Sequence, residues 1–283
     1  MDKLACPDEP REIVATGGAA GLLGQRFTPH GVLRRLLRRL IHFFAYHLVL
    51  ARPRVQITRV AGFRLIVRPS VFHPRYFLSS ERFAEFIGQL DLRGKHVVDV
   101  GTGSGILALA AARAGAEDVI AADINPNAAL AAAENARANG FGDRVSALCS
   151  NLLSAIAPQP LFDIILSSPP KHAGEPRDLA DRGWHAGPNY RDIAALFDQS
   201  RERLKPGGRL YVMVSSDSNL DLLGALIEEA GLQARLVAER SIVIESFIIY
   251  LLESSGELLE SSGEDLTAPA AGRDHVSASR SRR

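Results

Sequence analysis

The feature that most constrains this chain is a regular alternation of short apolar strands with alanine-rich helical stretches, which begins near Leu92. Five segments have the length and composition of buried strands: HVVDV, VIAAD, RVSALC, FDIILS and RLYVMVS. Helical stretches such as ILALAAARAGA and NAALAAAENARANG lie between them. Strands that are joined through helices run parallel and are covered on both faces. The alternation therefore predicts an α/β fold with a mostly parallel sheet between two helical layers.

The sequence predicts four segments along the whole chain. Residues 1–29 are rich in Gly and Ala without periodicity, and we expect a mobile N-terminus. Residues 30–69 combine a basic amphipathic helix with a β-hairpin that turns at Ala61-Gly62, and we expect them to cover the main domain. Residues 70–252 form the α/β domain. The Ser/Gly-rich residues 253–283 are expected to be disordered.

The first strand of the alternation ends in VVDVGTGSG, which puts glycines at positions 101, 103 and 105 before a helix. Glycine allows a tight turn and a close approach of a ligand to a helix N-terminus. Asp123 ends the next strand, where a carboxylate can accept both hydroxyls of a ribose. Asn151 follows the third strand, where an adenine edge would lie. The G-T-G-S-G run lacks the spacing of a dinucleotide phosphate loop, which disfavours NAD.

The run DVGTGSG, DINP, SNLL and SSPP resembles class I S-adenosylmethionine-dependent methyltransferases, in particular the HemK-type enzymes and their small-methyltransferase-domain relatives. The similarity covers roughly residues 70–252 and includes VFHP and WHAGPNYRD. It implies a seven-stranded sheet with a reversed last strand, expected in IVIESFIIYLL, and S-adenosylmethionine as the cofactor, without a metal. The residues that it implies at the cofactor are Asp99, Gly101, Thr102, Gly103, Gly105, Asp123, Ile124, Asn151 and Leu152.

The segment LSSPPK supplies the predicted catalytic residues, Ser168, Pro169 and Pro170. At the matching position the family usually has Asn-Pro-Pro-Tyr, whose Asn oxygen and first Pro carbonyl accept the hydrogens of a planar amino group. Here a shorter hydroxyl replaces the amide, and Lys171 replaces the aromatic ring. Both changes favour an aliphatic amine over a glutamine amide or a nucleobase, because such an amine has only to lose a proton.

The loop after the prolines supplies candidate acceptor residues of mixed chemistry. They are His172, Glu175, Trp184, His185 and Tyr190. An acid or a histidine there could attract a cationic substrate or take a proton, and the two aromatic residues could line a pocket. Each of them could equally be a solvated residue or pack the loop onto the domain.

The front of the chain is strongly basic although the net charge is only +1. Residues 13–80 contain eleven Arg, no Lys and no acid. In residues 31–50, Arg34, Arg35, Arg38 and Arg39 lie beside an apolar helical face. Three interpretations remain open: a structural lid, a nucleic-acid contact, or attachment to an anionic membrane surface. Membrane contact is favoured over nucleic acid because of the apolar face.

The sequence thus predicts a methyltransferase that N-methylates an amine on a small molecule or lipid head group near the membrane. A cytoplasmic location, peripheral on the inner face of the membrane, follows from this and from two cysteines without pairing spacing, Cys6 and Cys149. One alternative is a protein (glutamine-type) or nucleic-acid amino-group methyltransferase. Another is a non-catalytic cofactor-binding partner module. The sequence does not indicate an oligomeric state.

Overall fold

The computed structural model describes residues 54–74, 78–241 and 246–254, in which a small hairpin precedes a large α/β unit. The hairpin consists of β1 (Gln56–Val60) and β2 (Phe63–Val67). The elements of the α/β unit are α1 (Leu78–Ile87), β3 (His96–Val100), α2 (Ile106–Arg113), β4 (Asp118–Asp123), α3 (Pro126–Ala138), β5 (Val145–Cys149), β6 (Phe162–Ser167), α4 (Arg191–Arg203), β7 (Leu204–Ser215), α5 (Leu220–Glu229), β8 (Leu232–Ser241) and β9 (Ser246–Ser254).

The large sheet has seven strands in the order β5-β4-β3-β6-β7-β9-β8. The five strands from β5 to β7 are parallel, and β9 is antiparallel to both of its neighbours. The predicted α/β class and the reversed last strand are therefore confirmed. The edge strand β8 was not among the strands predicted from the sequence.

Both faces of the sheet are covered by apolar side chains. One core cluster joins the hairpin, α1 and α2 to the sheet and includes Phe63, Phe83 and Leu109. The other joins α4 and α5 to the opposite face and includes Leu196 and Ile227. In α2 every residue from Ile106 to Ala112 is buried, because its alanines let the helix lie close to the strands. This packing fixes the helix whose N-terminus faces the end of β3.

The hairpin is bound to α3 by two side-chain amides. Asn135 accepts the N–H of Ile66 at 2.7 Å and donates to its carbonyl at 2.9 Å. Asn139 accepts the N–H of Arg64 at 3.0 Å and donates to its carbonyl at 2.9 Å. Residues four apart lie on the same face of a helix, whereas residues two apart share one edge of a strand, so the two spacings match. The two amides thereby form hydrogen bonds with the backbone N–H and carbonyl groups on the edge of β2, as a neighbouring strand would.

Some predictions concern residues outside the described ranges. They are the mobile N-terminus at 1–29, the basic helix over 31–50 with its four arginines, and residues 255–283 of the tail. Strand β9 runs to Ser254, so it passes the boundary predicted at residue 252. In the described ranges, no helix combines the length and apolarity that crossing a bilayer requires.

Candidate active site

A cleft of about 460 Å³ opens at the carboxyl ends of β3, β4 and β6. One side is lined by the glycine loop 101–104, by residues 123–125 and by Asn151 and Leu152. The other side is lined by residues 167–171 and by part of the loop that follows. Open α/β sheets bind ligands at the carboxyl ends of their strands. Two motifs that are far apart in the sequence therefore meet in one cavity.

The glycine loop leaves space open to this cleft. Gly101 and Gly103 have φ angles of 75° and 56°, and a Cβ at either position would meet no protein atom within 4 Å. Gly105 also has a positive φ, 82°, but a Cβ there would lie 2.9 Å from Cα of Ala132. Gly105 does not line the cleft. A glycine is required at this position because the start of α2 packs against α3. Its predicted place at the cofactor stays a prediction.

Asp123 lies in the cleft at the end of β4. Its Oδ2 accepts the N–H of Gly103 at 2.9 Å, and its Oδ1 accepts the N–H of Asn125 at 2.9 Å. Burial raises the pKa of this carboxyl above its ordinary value, although the two N–H donors act in the opposite direction. Each oxygen keeps a second lone pair, so the carboxylate can still accept hydroxyl groups of a ligand.

Asp99 is completely buried behind the glycine loop and does not line the cleft. Its Oδ2 accepts the hydroxyl of Thr102 at 2.6 Å and the N–H of Ala108 at 3.2 Å. Burial raises the pKa of Asp99 to about 7, against the hydrogen bonds from these two donors. Asp99 thus ties the end of β3 to the loop and to α2. Its predicted contact with the cofactor stays a prediction, whereas Thr102 lines the cleft.

The remaining predicted cofactor residues lie along the same side of the cleft. Ile124 follows Asp123, and Asn151 and Leu152 follow β5. Asn151 is exposed, and Leu152 has a φ of 53°, which turns the chain sharply at this point. Their place in the cleft fits the predicted contacts with an adenine, and those contacts stay a prediction.

The two serines before the prolines differ in what they contact. The hydroxyl of Ser167 is buried and donates to the carbonyl of Val100 at 2.9 Å, which ties the end of β6 to β3. Ser168, Pro169 and Pro170 line the cleft. Within the described ranges the hydroxyl of Ser168 has no hydrogen-bond partner. It is therefore available to a ligand.

An aromatic wall closes this end of the cleft. Trp184 is 6% exposed, and its ring meets that of Phe72 edge to face with centroids 5.1 Å apart. Nζ of Lys171 lies 5.7 Å from the Trp184 ring centroid, within the range of a cation–π contact. All three residues line the cleft, and a contact of Trp184 with an acceptor stays a prediction.

Tyr190 does not line the cleft. It is buried, and its hydroxyl forms hydrogen bonds that hold the loop in place. Its hydroxyl donates to the carbonyl of Lys171 at 2.8 Å and accepts the N–H of Asn219 at 3.0 Å. Burial raises the pKa of this phenol. It connects the residue after the prolines to the start of α5, which agrees with the second of the two roles left open for it, packing of the loop.

The other polar residues predicted for the acceptor also lie outside the cleft lining. Glu175 is exposed and pairs with Arg191 at 3.3 Å. Nδ1 of His185 lies 3.3 Å from the buried Asp181. The backbone of His172 donates to Trp184 and accepts from Ala186, both at 3.0 Å. These contacts lie within the loop, and the predicted roles of the three residues at an acceptor stay predictions.

Asp181 is the buried anchor of this loop. It accepts hydrogen bonds from the backbone N–H and the guanidinium of Arg177 at 3.0 and 3.1 Å. Burial pushes the pKa of Asp181 upward, but the bonds from Arg177 outweigh it and the pKa lies below its ordinary value. Asp181 therefore has a structural role in this loop.

The sequence interpretation missed the contribution of the segment after the hairpin. Ser70, Val71 and Phe72 line the cleft. The side chain of Asn125, which caps α3, donates to the carbonyl of Ser70 at 3.0 Å. The acceptor end also contains Arg182 and Asp192, paired at 3.5 Å, together with Asp217. The VFHP motif was the available signal, since it contains two of the lining residues.

Comparison with known proteins shows which methyltransferases this chain is similar to. Residues 83–168 match the family model described as "Ribosomal protein L11 methyltransferase (PrmA)". The ribosomal protein L11 methyltransferase of Methylococcus capsulatus is 34% identical over 161 residues, covering 57% of this chain and 44% of the relative. That of Actinobacillus succinogenes is 51% identical over 67 residues, covering 24% and 23%. The chain thus spans less than half the length of these curated relatives.

Solved structures share the fold. The Thermus thermophilus 16S rRNA N2 G1207 methyltransferase, solved with AdoMet and guanosine, is 25% identical with a TM-score of 0.51, covering 71% of this chain and 50% of its own. The chain carries a class I S-adenosylmethionine-dependent methyltransferase domain. Methanocaldococcus jannaschii Trm5 with adenosine, 17% identical with a TM-score of 0.51 over 72% of this chain and 57% of its own, adds support for the fold alone.

S-adenosylmethionine is the cofactor of this methyltransferase domain, and the cleft fits it. The open glycines at 101 and 103 leave room beside the loop, and Asp123 offers acceptors for ribose hydroxyls. The sequence resembles small-methyltransferase-domain enzymes in general. The matched relatives are named more specifically, as ribosomal protein L11 methyltransferases.

Proposed function

We propose that the protein transfers a methyl group from S-adenosylmethionine to an aliphatic amino nitrogen of a protein. One observation carries the proposal. Gly101, Gly103 and Asp123 line the same cleft of about 460 Å³ as Ser168 and Pro169. A cofactor held at one end would then have its methyl group within reach of an acceptor at the other. Alignment of the two reactants is the main contribution that an enzyme makes to such a transfer.

A protein acceptor is supported by the relatives, which are named for ribosomal protein L11. These names offer no support for the small-molecule or lipid acceptor favoured by the sequence, and the protein alternative fits them better. A cytoplasmic location is the one consistent with such a substrate. The membrane attachment expected of the basic helix has no support in these comparisons.

An aliphatic amine is supported by the residues at the acceptor end. Ser168 presents a hydroxyl where an amide oxygen would suit a planar amino group. Lys171 lies over Trp184, so the aromatic face is covered by an ammonium group and is closed to a stacked nucleobase. These features disfavour a glutamine amide or a base, whose nitrogen lone pair is delocalised.

The reaction divides into binding, orientation and loss of a proton. The cofactor supplies a methyl group on a positively charged sulfur. Asp123 and the glycine loop would hold its nucleoside part, and Asn151 would contact its adenine. Ser168 Oγ and the Pro169 carbonyl accept N–H groups of the acceptor, so that the nitrogen lone pair faces the methyl group. A carbon–sulfur bond breaks, a carbon–nitrogen bond forms, and the nitrogen then releases a proton to water.

Lys171 favours the reactive form of the acceptor. A positive charge near an amine lowers the pKa of its ammonium form, because two like charges in one site repel. The acceptor therefore enters as the neutral amine, which is the nucleophile. No general base inside the cleft is needed for this step, since the proton can be lost to solvent before the amine is bound.

The experiment uses tritiated S-adenosylmethionine with purified ribosomal protein L11, total ribosomal proteins, a small-metabolite extract and a lipid extract, each in a separate reaction. We expect label in a protein fraction and, by mass spectrometry, a methylated amino group. Label only in the metabolite or lipid extract would contradict the protein acceptor. Tight cofactor binding with no transfer to any fraction would instead support the non-catalytic partner module.

A further inference from the structure

Four arginines surround the turn of the hairpin. Arg59 and Arg64 are exposed and lie directly opposite each other on β1 and β2. Arg113, at the end of α2, donates to the carbonyl of Ala61 at 2.8 Å. Arg144, just before β5, donates to the carbonyl of Ala112 at 3.0 Å. We call these four residues the hairpin arginine patch.

Aromatic rings hold this patch together. The guanidinium carbon of Arg113 lies 4.0 Å from the ring centroid of Phe63, and that of Arg144 lies 5.3 Å from the centroid of Phe141. The two rings meet edge to face with centroids 6.4 Å apart. Arg113 is therefore fixed in position by one carbonyl and a ring, and Arg144 by the carbonyls of Ala112 and Ala116 and a ring, all of them neutral groups.

The four arginines of the patch are close together and have no carboxylate partners. Across residues 54–74, 78–241 and 246–254, none of its four arginines forms an ion pair within 4 Å. Elsewhere in these ranges eight arginines are paired with acids, namely Arg68, Arg82, Arg93, Arg177, Arg182, Arg191, Arg203 and Arg209, whereas isolated exposed arginines such as Arg201 and Arg240 are not. The patch is thus a cluster of four arginines without an ion pair in the described ranges.

The close spacing of these positive charges lowers the stability of the folded protein. Like charges directly opposite on neighbouring antiparallel strands destabilise the pair. No acid occurs anywhere between residues 13 and 80 to offset the repulsion. A bound polyanion would remove the repulsion, because guanidinium groups match phosphate with two parallel N–H donors.

We propose that the hairpin arginine patch binds the phosphate backbone of RNA. RNA is favoured over a lipid surface because the aromatic rings of the patch are withdrawn from the surface, with Phe63 buried and Phe141 half-buried, which leaves Val55 and Ile57 as the exposed large apolar side chains of the hairpin segment. Ser70 lines the cleft only six residues beyond Arg64, a span of about 20 Å or less in an extended chain. RNA on the patch would therefore lie near the methyl-transfer site, as when the acceptor belongs to a ribonucleoprotein.

The test measures binding of the full-length protein to a short fluorescein-labelled RNA hairpin by fluorescence anisotropy, from about 50 to about 200 mM KCl. The patch variant is Arg59→Gln/Arg64→Gln, which changes exposed side chains. The matched control is Arg201→Gln/Arg240→Gln, which removes the same charge from exposed arginines on α4 and β8. Thermal unfolding of all three proteins verifies that they fold equally.

We expect the patch variant to bind RNA about tenfold or more weakly at the lower salt concentration, with a salt slope shallower by about 1.4 to 1.8 for two lost phosphate contacts. The control should stay within about twofold of the native protein. Equal behaviour of the two variants, or no binding of RNA by the native protein at low salt, would overturn the proposal. So would binding through the same arginines to phosphatidylglycerol vesicles but not to RNA. None of these outcomes depends on methyl transfer, so the proposed function is tested separately.

Discussion

The two ends of the cleft are built in different ways. The cofactor end consists of strand ends and a glycine loop, in which Gly101, Gly103 and Asp123 occupy places set by a few neighbouring residues. The acceptor end depends on a loop that is held by its own buried contacts, through Asp181 and Tyr190. The cofactor end is therefore a property of the fold, whereas the acceptor end is a property of one loop. Substitutions at the two ends should have separable effects.

The largest expected effect is at the glycine loop. Gly103→Val should abolish S-adenosylmethionine binding, because the side chain would enter the open space of the cleft. Isothermal titration calorimetry measures this. Gly140→Val is the matched control, since Gly140 also has a positive φ, 78°, and a Cβ there meets no atom within 4 Å, but it lies outside the cleft. It carries similar backbone strain, so equal loss of cofactor binding in both variants would contradict the assigned position of the loop.

The second effect concerns stability and pH, through Asp99 behind the loop. Burial raises its folded-state pKa to about 7, above the unfolded value of about 3.9. The stability that this group contributes is complete below about pH 4 and is lost as the pH rises to about 7. The free energy of unfolding in urea should therefore fall over that window by several kcal/mol, of the order expected for a shift of about 3 pK units. Asp99→Asn should flatten this part of the profile, and an unchanged profile would show that Asp99 is not the titrating group.

A smaller effect is expected at the ribose position. Asp123→Ala should weaken cofactor binding by roughly 1–3 kcal/mol, through the loss of charge-assisted hydrogen bonds. Calorimetry at a pH near neutrality measures the change. Asp143→Ala, at an exposed carboxyl outside the cleft, serves as the control. Affinity equal to that of the control would remove Asp123 from the cofactor site.

The loop tie at Tyr190 should affect the acceptor end alone. Tyr190→Phe removes the hydroxyl that donates to Lys171 and accepts from Asn219, at a cost of about 1–2 kcal/mol in stability. Turnover should fall because the Pro-Pro-Lys segment loses its support, while the dissociation constant of the cofactor stays the same. Glu175→Gln in the same loop should change neither, since its exposed ion pair contributes little. A loss of cofactor affinity in Tyr190→Phe would contradict the claim that the two ends of the cleft can be changed separately.

The contrast between the ends also explains what the sequence could predict. Strand lengths, the glycine spacing and Asp123 depend on residues close together in the chain, and they specified the sheet and the cofactor end. The acceptor loop depends on contacts such as Tyr190 with Asn219, and no local pattern distinguishes a residue that ties a loop from one that lines a pocket. For the same reason the sequence predicted the hairpin, but not its attachment to α3 through Asn135 and Asn139.

The most direct test of the account is single-turnover methyl transfer by Ser168→Ala, with the cofactor bound beforehand and its affinity measured in parallel. Ser168 lines the acceptor end and is bonded to neither the glycine loop nor Asp123. We predict that the rate of transfer falls about tenfold or more, as expected for the loss of an interaction with the acceptor, while cofactor affinity stays within about twofold. Retained transfer together with weakened cofactor binding would contradict the account, because Ser168 would then belong to the cofactor end of the cleft.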